Sequence, residues 1–101
     1  MTNLIVLDLS HNNISEIEGL DALTKLKTLI LSHNQISETK GFDNLVELTD
    51  LLIDHNQISE VKGLKNLYKL RCLDFRRNPA EDNYKKSSYI GDRIFINDKF
   101  P

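Results

Sequence analysis

Apolar residues recur along this chain at intervals of 22 residues. Leu4, Leu26, Leu48 and Leu70 keep that interval, and the apolar positions that follow each of them keep it too. The shared unit reads L-x-x-L-x-L-x-x-N-x-I, then a short polar stretch, then G-[LF]-x-x-L. A fixed period of this kind predicts a stack of similar coils, near residues 4–25, 26–47, 48–69 and, in part, 70–80.

Within each unit, the L-x-L segment alternates apolar and polar residues, which is the pattern of a short strand with one buried face. A competing interpretation places Leu20, Leu23, Leu26 and Leu29 on one face of an amphipathic helix. Each step of three falls about 60° short of a full helical turn, so four such leucines spread over half of the circumference. A glycine and an asparagine in every unit would also interrupt a helix, and the pattern therefore favours strands.

Two other positions of the unit have structural roles. The asparagine can turn its carboxamide inward and bind backbone groups of its own and the neighbouring coil, which satisfies polar groups where the chain bends. The glycine permits a positive φ or a close backbone approach at a corner. The recurring asparagines are expected to form a structural ladder of Asn12, Asn34, Asn56 and Asn78.

With this unit repeated in register from Leu4 to about Ala80, the chain resembles the intracellular leucine-rich repeat proteins of the 22-residue class. It is similar to the leucine-rich regulatory subunit of type-1 protein phosphatase. The resemblance implies an α/β leucine-rich repeat solenoid, right-handed, with short parallel β-strands on the concave face and 3-10 or irregular turns on the convex face. It also implies about four repeats and a C-terminal cap.

The two ends of the stack differ from its middle. After Asn78 the period breaks, and we expect residues 1–80 to form the repeats and residues 81–101 the C-terminal cap of a single domain. At the other end Met1, Thr2 and Asn3 lead directly into the first strand, so the first coil is expected to present an open edge. Three alternatives follow: a truncated product, an end-to-end homodimer through that edge, or an exposed edge that the fold tolerates.

Charge and composition limit the classes of partner and the cellular compartment that we expect. The formal net charge of −2 gives no electrostatic reason to expect nucleic acid or an anionic membrane as a partner. No apolar run approaches the roughly 20 residues of a membrane span, and the first residues lack the features of a secretory signal. Cys72 is the single cysteine and cannot form an internal disulfide, which favours a reducing compartment. We therefore predict a cytoplasmic protein, with the nucleus reachable by diffusion.

The three histidines, His11, His33 and His55, occupy one position of the unit, directly before the asparagine. Side chains in adjacent coils stand about 4.7–4.9 Å apart, whereas two imidazole nitrogens on one metal ion lie within roughly 3.4 Å. Because a straight row does not converge on a point, the sequence predicts neither a metal site nor a cofactor.

A nucleophilic site is also disfavoured. Ser10 and His11 are adjacent, and adjacent strand residues point to opposite faces. No G-x-S-x-G motif accompanies them. The sequence therefore predicts that the chain is not an enzyme and has no catalytic residues.

The outward-facing strand positions carry the functional prediction. Ile30 and Leu52 are neighbours at the centre of the concave face, flanked by Asp8 and Asp74, and an apolar centre ringed by charge is typical of a protein-binding surface. The alternative is that Ile30 and Leu52 have no binding role and are present because isoleucine and leucine are well accommodated in β-strands. The candidate partner-binding residues are Asp8, Ile30, Leu52, Asp50, Asp54, Asp74, Arg76, His33 and His55.

The predicted function is a scaffold that binds another protein through its concave face. One alternative is a phosphatase-regulatory or targeting subunit, with the phosphatase catalytic subunit as partner. The outward positions of all four coils lack aromatic residues, so the binding residues of that regulator cannot be carried over. A second alternative is a self-assembling or cytoskeletal subunit that uses the open edge of the first coil.

Overall fold

The computed structural model describes residues 3–80, together with the backbone of residues 89–90 and 93–94. Its strands are β1 (Val6–Asp8), β2 (Thr28–Ile30), β3 (Asp50–Leu52), β4 (Cys72–Asp74), β5 (Tyr89–Ile90) and β6 (Arg93–Ile94). They form one sheet in the order β1-β2-β3-β4-β6-β5. Each of the first four strands covers three residues of one repeat and is centred on the first leucine of its L-x-L segment.

The strand register follows the sequence period residue by residue. β1 to β4 are parallel, and Leu7, Leu29, Leu51 and Leu73 pair across them in turn. The predicted solenoid, with short parallel strands on one face, is therefore confirmed. β6 runs antiparallel to β4, with Leu73 opposite Ile94, whereas the side chains of the expected C-terminal cap lie outside the described residues.

The opposite side of each coil turns in steps of three residues. The amide of Leu23 donates to the carbonyl of Leu20 and that of Leu26 to the carbonyl of Leu23, at 3.0 and 3.1 Å, and the next two coils repeat both bonds. In 3-10-like turns the side chains at i and i+3 lie on the same side, so leucines spaced by three all reach the core. Among the described residues, no helix is long and apolar enough to cross a membrane.

The core lies between the sheet and these turns, and its least buried part is the first coil. Leu29, Leu51 and Leu73 are completely buried, whereas Leu7 at the equivalent place in β1 is only partly buried. A single coil cannot enclose its own leucines, so each coil is stabilised by its neighbours. At about 25 cal/mol per Å² of apolar surface, a fully buried leucine contributes about 2 kcal/mol.

Two of the recurring glycines allow adjacent coils to approach closely. Gly41 has φ +87°, and a Cβ there would lie 2.8 Å from the carbonyl oxygen of Ile17. Gly63 has φ +75°, and a Cβ there would lie 2.7 Å from the carbonyl oxygen of Thr39. Any side chain would clash with the preceding coil, in a backbone conformation that L-residues rarely adopt.

The recurring asparagine joins neighbouring coils in the second, third and fourth repeats, whereas the carboxamide of Asn12 in the first repeat binds carbonyls of its own coil. The carboxamide of Asn56 donates to the carbonyl of Leu31 in the preceding coil and to those of Ile53 and Asp54 in its own coil, each at 3.0 Å. Its oxygen accepts from the amide of Ile36 at 3.0 Å. Asn34 and Asn78 make the corresponding bonds. These contacts satisfy backbone groups where the chain leaves the sheet.

Candidate functional site on the concave face

Ile30 and Leu52 lie at the centre of the concave face. They are register neighbours in β2 and β3, and both are half-buried although they point away from the core. The intervening leucines Leu29 and Leu51 point the other way and are completely buried. We call Ile30 and Leu52 the central apolar pair. The structure places it where the alternation of the strands requires.

The acidic residues beside this pair differ in accessibility. Asp8 is exposed, and hydrogen bonds from the hydroxyl and amide of Ser10 hold the pKa of its carboxyl below the ordinary value. Asp74 is only 2% exposed. Arg76 binds it through two nitrogens, with Nε 2.9 Å from Oδ1 and Nη2 2.6 Å from Oδ2. The buried Asp74 therefore fixes the position of the Arg76 guanidinium through a bidentate ion pair. Asp8, in contrast, exposes its charge to solvent.

Asp50 lies between these extremes. It is half-buried in β3, with Oδ1 accepting from the hydroxyl of Thr49 at 2.8 Å and lying 3.6 Å from Nε of Arg71. An ion pair this exposed contributes little stability. Asp50 therefore offers a negative charge next to the central apolar pair.

The three histidines and Arg77 share one unusual backbone conformation. His11, His33, His55 and Arg77 have φ values of 58°, 58°, 56° and 59°. Histidine is among the non-glycine residues that enter this left-handed region most readily. The asparagine that follows fixes the turn, since the carboxamide of Asn34 binds the carbonyls of residues 31 and 32. The shared conformation gives all four side chains the same position relative to their coils.

The imidazole rings stack along this row. The ring centroids of His11 and His33 lie 4.3 Å apart and those of His33 and His55 lie 4.0 Å apart, with interplanar angles of 11° and 16°. Backbone bonds maintain the alignment, because the amide of His33 donates to the carbonyl of Asp54 at 3.1 Å. We call His11, His33 and His55 the histidine row. Its rings are closer together than the spacing that the sequence predicts from strands alone.

Asp54 links the histidine row to the sheet. It is 7% exposed; the hydroxyl of Ser32 donates to its Oδ1, and Nδ1 of His55 lies 2.8 Å from its Oδ2. Burial raises the pKa of the Asp54 carboxyl, but the hydrogen bonds from Ser32 and His55 outweigh burial and hold the pKa below the ordinary value. With Nδ1–H directed at the carboxylate, the free lone pair of His55 is on Nε2.

The order of these contacts does not match a nucleophilic triad. In such a triad the imidazole lies between serine and carboxylate, and it takes the proton of the hydroxyl. Here the carboxylate lies between Ser32 and His55, so the hydroxyl donates to an acid residue. The sequence argument from strand alternation does not apply at this place, because β3 ends at Leu52 and the left-handed residue brings Asp54 and His55 together.

One group of side chains at the edge of the concave face, along the histidine row, has the composition of a metal site. His33, Asp54 and His55 each offer one ligand atom, and these atoms lie within 4.8 Å of one another. We call these three residues the rim cluster. Sequence reasoning missed it because it considered the histidines as a row by themselves. The recurring S-H-N next to D-H-N in the following coil was the available signal.

The structure thus divides the predicted partner-binding residues into two groups. Asp8, Ile30, Leu52, Asp50 and the histidines reach solvent, while Asp54 and Asp74 are buried and bound by neighbouring side chains. Arg76 is half-buried over Asp74. Contact with a partner stays a prediction for all of them.

Comparison with known proteins supports the fold. The family described as Leucine Rich repeats (2 copies) matches residues 2–45. An internalin from Listeria monocytogenes matches in structure with a TM-score of 0.70 and 33% sequence identity, over 76% of this chain and 23% of the internalin. The match thus spans about a quarter of the length of that internalin. A search of curated proteins found no match to the sequence of the present chain. The chain is therefore a leucine-rich repeat solenoid.

Proposed function

We propose that this protein is an interaction module that binds a partner protein through its concave face. Leucine-rich repeat proteins generally act by binding other proteins, which supports the class of function. A parallel sheet with one face on the core presents its other face as a continuous, rigid surface. Functional surfaces built on such rigid elements lose little entropy on binding.

The observation that carries the proposal is the central apolar pair. Ile30 and Leu52 lie side by side on an outward face whose other positions are polar in the same strands, with Thr28 and Asp50 beside them. An adjoining pair of aliphatic side chains with an acidic border fits a partner residue that is apolar and has a basic neighbour. The exposed carboxylate of Asp8 and that of Asp50 supply the border.

The test combines capture with two matched variants. We expect a partner captured from the native cell by the wild-type chain to be lost when Ile30 and Leu52 are both changed to Asp. A residue at the centre of an interface contributes about 2 kcal/mol or more, which is about 30-fold in Kd. Tyr68→Asp is the control, because Tyr68 is 73% exposed and lies outside the strands.

Circular dichroism first checks that each variant retains the fold. If the folded double variant binds the same partner with wild-type affinity, the concave face is not the binding surface. If Tyr68→Asp loses the partner as well, the contact lies elsewhere on the coil.

Self-association is a second candidate, and the exposure of β1 favours it. β1 is one of the two edge strands of the described sheet, and Val6 and Ile5 are 54% and 43% exposed. An outer strand with apolar side chains is a surface on which another strand can add. Sedimentation of wild type and Val6→Lys at several concentrations separates the two functions: self-association predicts a mass that rises with concentration in the wild type only.

A phosphatase-targeting role is the narrower form of the first proposal. It is based on the resemblance of the repeat unit to that of the phosphatase regulatory subunit, and residues of the concave face were not used to infer it. Binding of a purified type-1 phosphatase catalytic subunit to the wild type, and its loss in the Ile30→Asp/Leu52→Asp variant, would support it.

A further inference from the structure

We propose that the rim cluster of His33, Asp54 and His55 binds a divalent transition-metal ion of the zinc class. The three residues come from two adjacent coils, and one ligand atom from each lies within 4.8 Å of the others. Two imidazoles and one carboxylate form the ligand set of many three-residue metal sites. The inference concerns metal binding alone and does not depend on which protein the concave face binds.

The coil geometry holds two of the ligands in place before any ion binds. Asp54 is 7% exposed and its carboxylate is oriented by the hydroxyl of Ser32. His55 is oriented by its contact with the same carboxylate, at 2.8 Å from Nδ1 to Oδ2. A metal ion bound between these two atoms would take the place of the Nδ1 proton, which is released on binding.

The third ligand has to move. Two ligand atoms on a tetrahedral zinc ion lie about 3.4 Å apart, so a group within 4.8 Å closes by at most about 1.4 Å. His33 can make this movement because its side chain is exposed. The ring of His33 stacks on the rings of His11 and His55, and stacking is a weaker constraint than burial in the core. Parallel rings do not direct their lone pairs at one point, so binding turns the ring of His33 out of the stack.

The donor atoms select the class of metal. Calcium takes six to eight oxygen ligands and magnesium an octahedral oxygen shell, and neither is provided by two imidazoles with one carboxylate. Imidazole and carboxylate together suit Zn²⁺, Ni²⁺ or Cu²⁺. Three protein ligands leave a position for water, as in the open type of zinc site.

The first experiment is a calorimetric titration of Zn²⁺ into the purified full chain, with Co²⁺ as a spectroscopic probe. We expect one ion per chain, and a Co²⁺ absorption spectrum typical of four-coordinate nitrogen and oxygen ligands. His33→Ala should weaken binding by at least about tenfold, since loss of even a supporting residue costs 10- to 100-fold.

His11→Ala is the matched control, because His11 has the same backbone conformation and stacks on His33 but lies outside the rim cluster. It should bind Zn²⁺ with wild-type affinity. Absence of saturable binding at one ion per chain would overturn the proposal. So would equal weakening in His11→Ala and His33→Ala, because that result means adventitious binding to surface histidines. Both variants change exposed residues, so the comparison does not depend on a buried substitution.

Discussion

Replacement of Asn56 by Ala should remove more stability than any single surface contact of this fold. The carboxamide of Asn56 is 8% exposed and contacts two coils at once. Its nitrogen donates to three carbonyls, those of Leu31, Ile53 and Asp54, and its oxygen accepts from the amide of Ile36. Alanine keeps the backbone path but leaves these groups without their partner.

The magnitude follows from the number of bonds. The two N–H donors and one acceptor of the carboxamide amount to three hydrogen bonds, each contributing about 1 kcal/mol net. The buried amide of Ile36 also loses its acceptor, at a further cost of about 1 kcal/mol. The expected loss is therefore about 3–4 kcal/mol. A domain of this size has a free energy of unfolding of about 5–15 kcal/mol, so the variant would lose a large part of its stability. The melting temperature would fall by about 12–32 °C, at about 4–8 °C per kcal/mol.

The control is the equivalent asparagine of the first coil. Asn12 is exposed, and its carboxamide binds the carbonyls of Leu9 and Ser10, both in its own coil. Asn12→Ala should therefore cost about 1 kcal/mol or less. Urea unfolding followed by circular dichroism measures both variants. If the two asparagines cost the same, bonds between coils do not provide the stability argued here.

Two further predictions concern electrostatics and backbone conformation. Ser32→Ala removes a hydrogen bond to the Asp54 carboxylate and should cost about 1.5 kcal/mol at pH 7. Because the folded-state pKa of Asp54 is lowered, its contribution is complete above the ordinary value near 3.8 and is lost as the pH falls through the lowered one. Urea midpoints should therefore differ between wild type and Ser32→Ala at pH 7 and converge as the pH falls below the lowered pKa of Asp54; a difference independent of pH would contradict this reasoning. Gly41→Ala and Gly19→Ala each place alanine at positive φ, at a cost of about 1–2 kcal/mol. Only Gly41→Ala also meets the carbonyl of Ile17 at 2.8 Å, so it should unfold at a lower urea concentration than Gly19→Ala, and equal midpoints would show that coil contact is unimportant there.

The sequence predicted the register because the period places chemically equivalent residues in adjacent strands. Leu29 opposite Leu51 follows from the repeat alone. The contacts of Asp54 did not follow, because they depend on a left-handed backbone at His55 and on side-chain orientation across two coils. Periodicity fixes which positions are neighbours, but it gives no rotamers and no departures from strand geometry.

Accessibility on the concave face was also beyond the sequence. Asp8 and Asp74 occupy the same position of their repeats, yet Asp8 is exposed whereas Asp74 is buried and bound by the guanidinium of Arg76. Two differences accompany this contrast: β1 is an edge strand whereas β4 is paired on both sides, and Ser10 stands in the first coil where Arg76 stands in the fourth. A pattern that treats repeats as equivalent cannot distinguish two residues that have different neighbours.

The shared conformation of the histidine row and Arg77 has a consequence for how this surface can change. Three imidazoles and one guanidinium are accommodated at φ values between 56° and 59°, so the turn does not require a particular side chain. The asparagine that follows fixes the backbone, and the residue before it is chosen independently. One edge of the concave face can therefore be rewritten residue by residue, in evolution or by grafting, while the coils beneath it keep their shape.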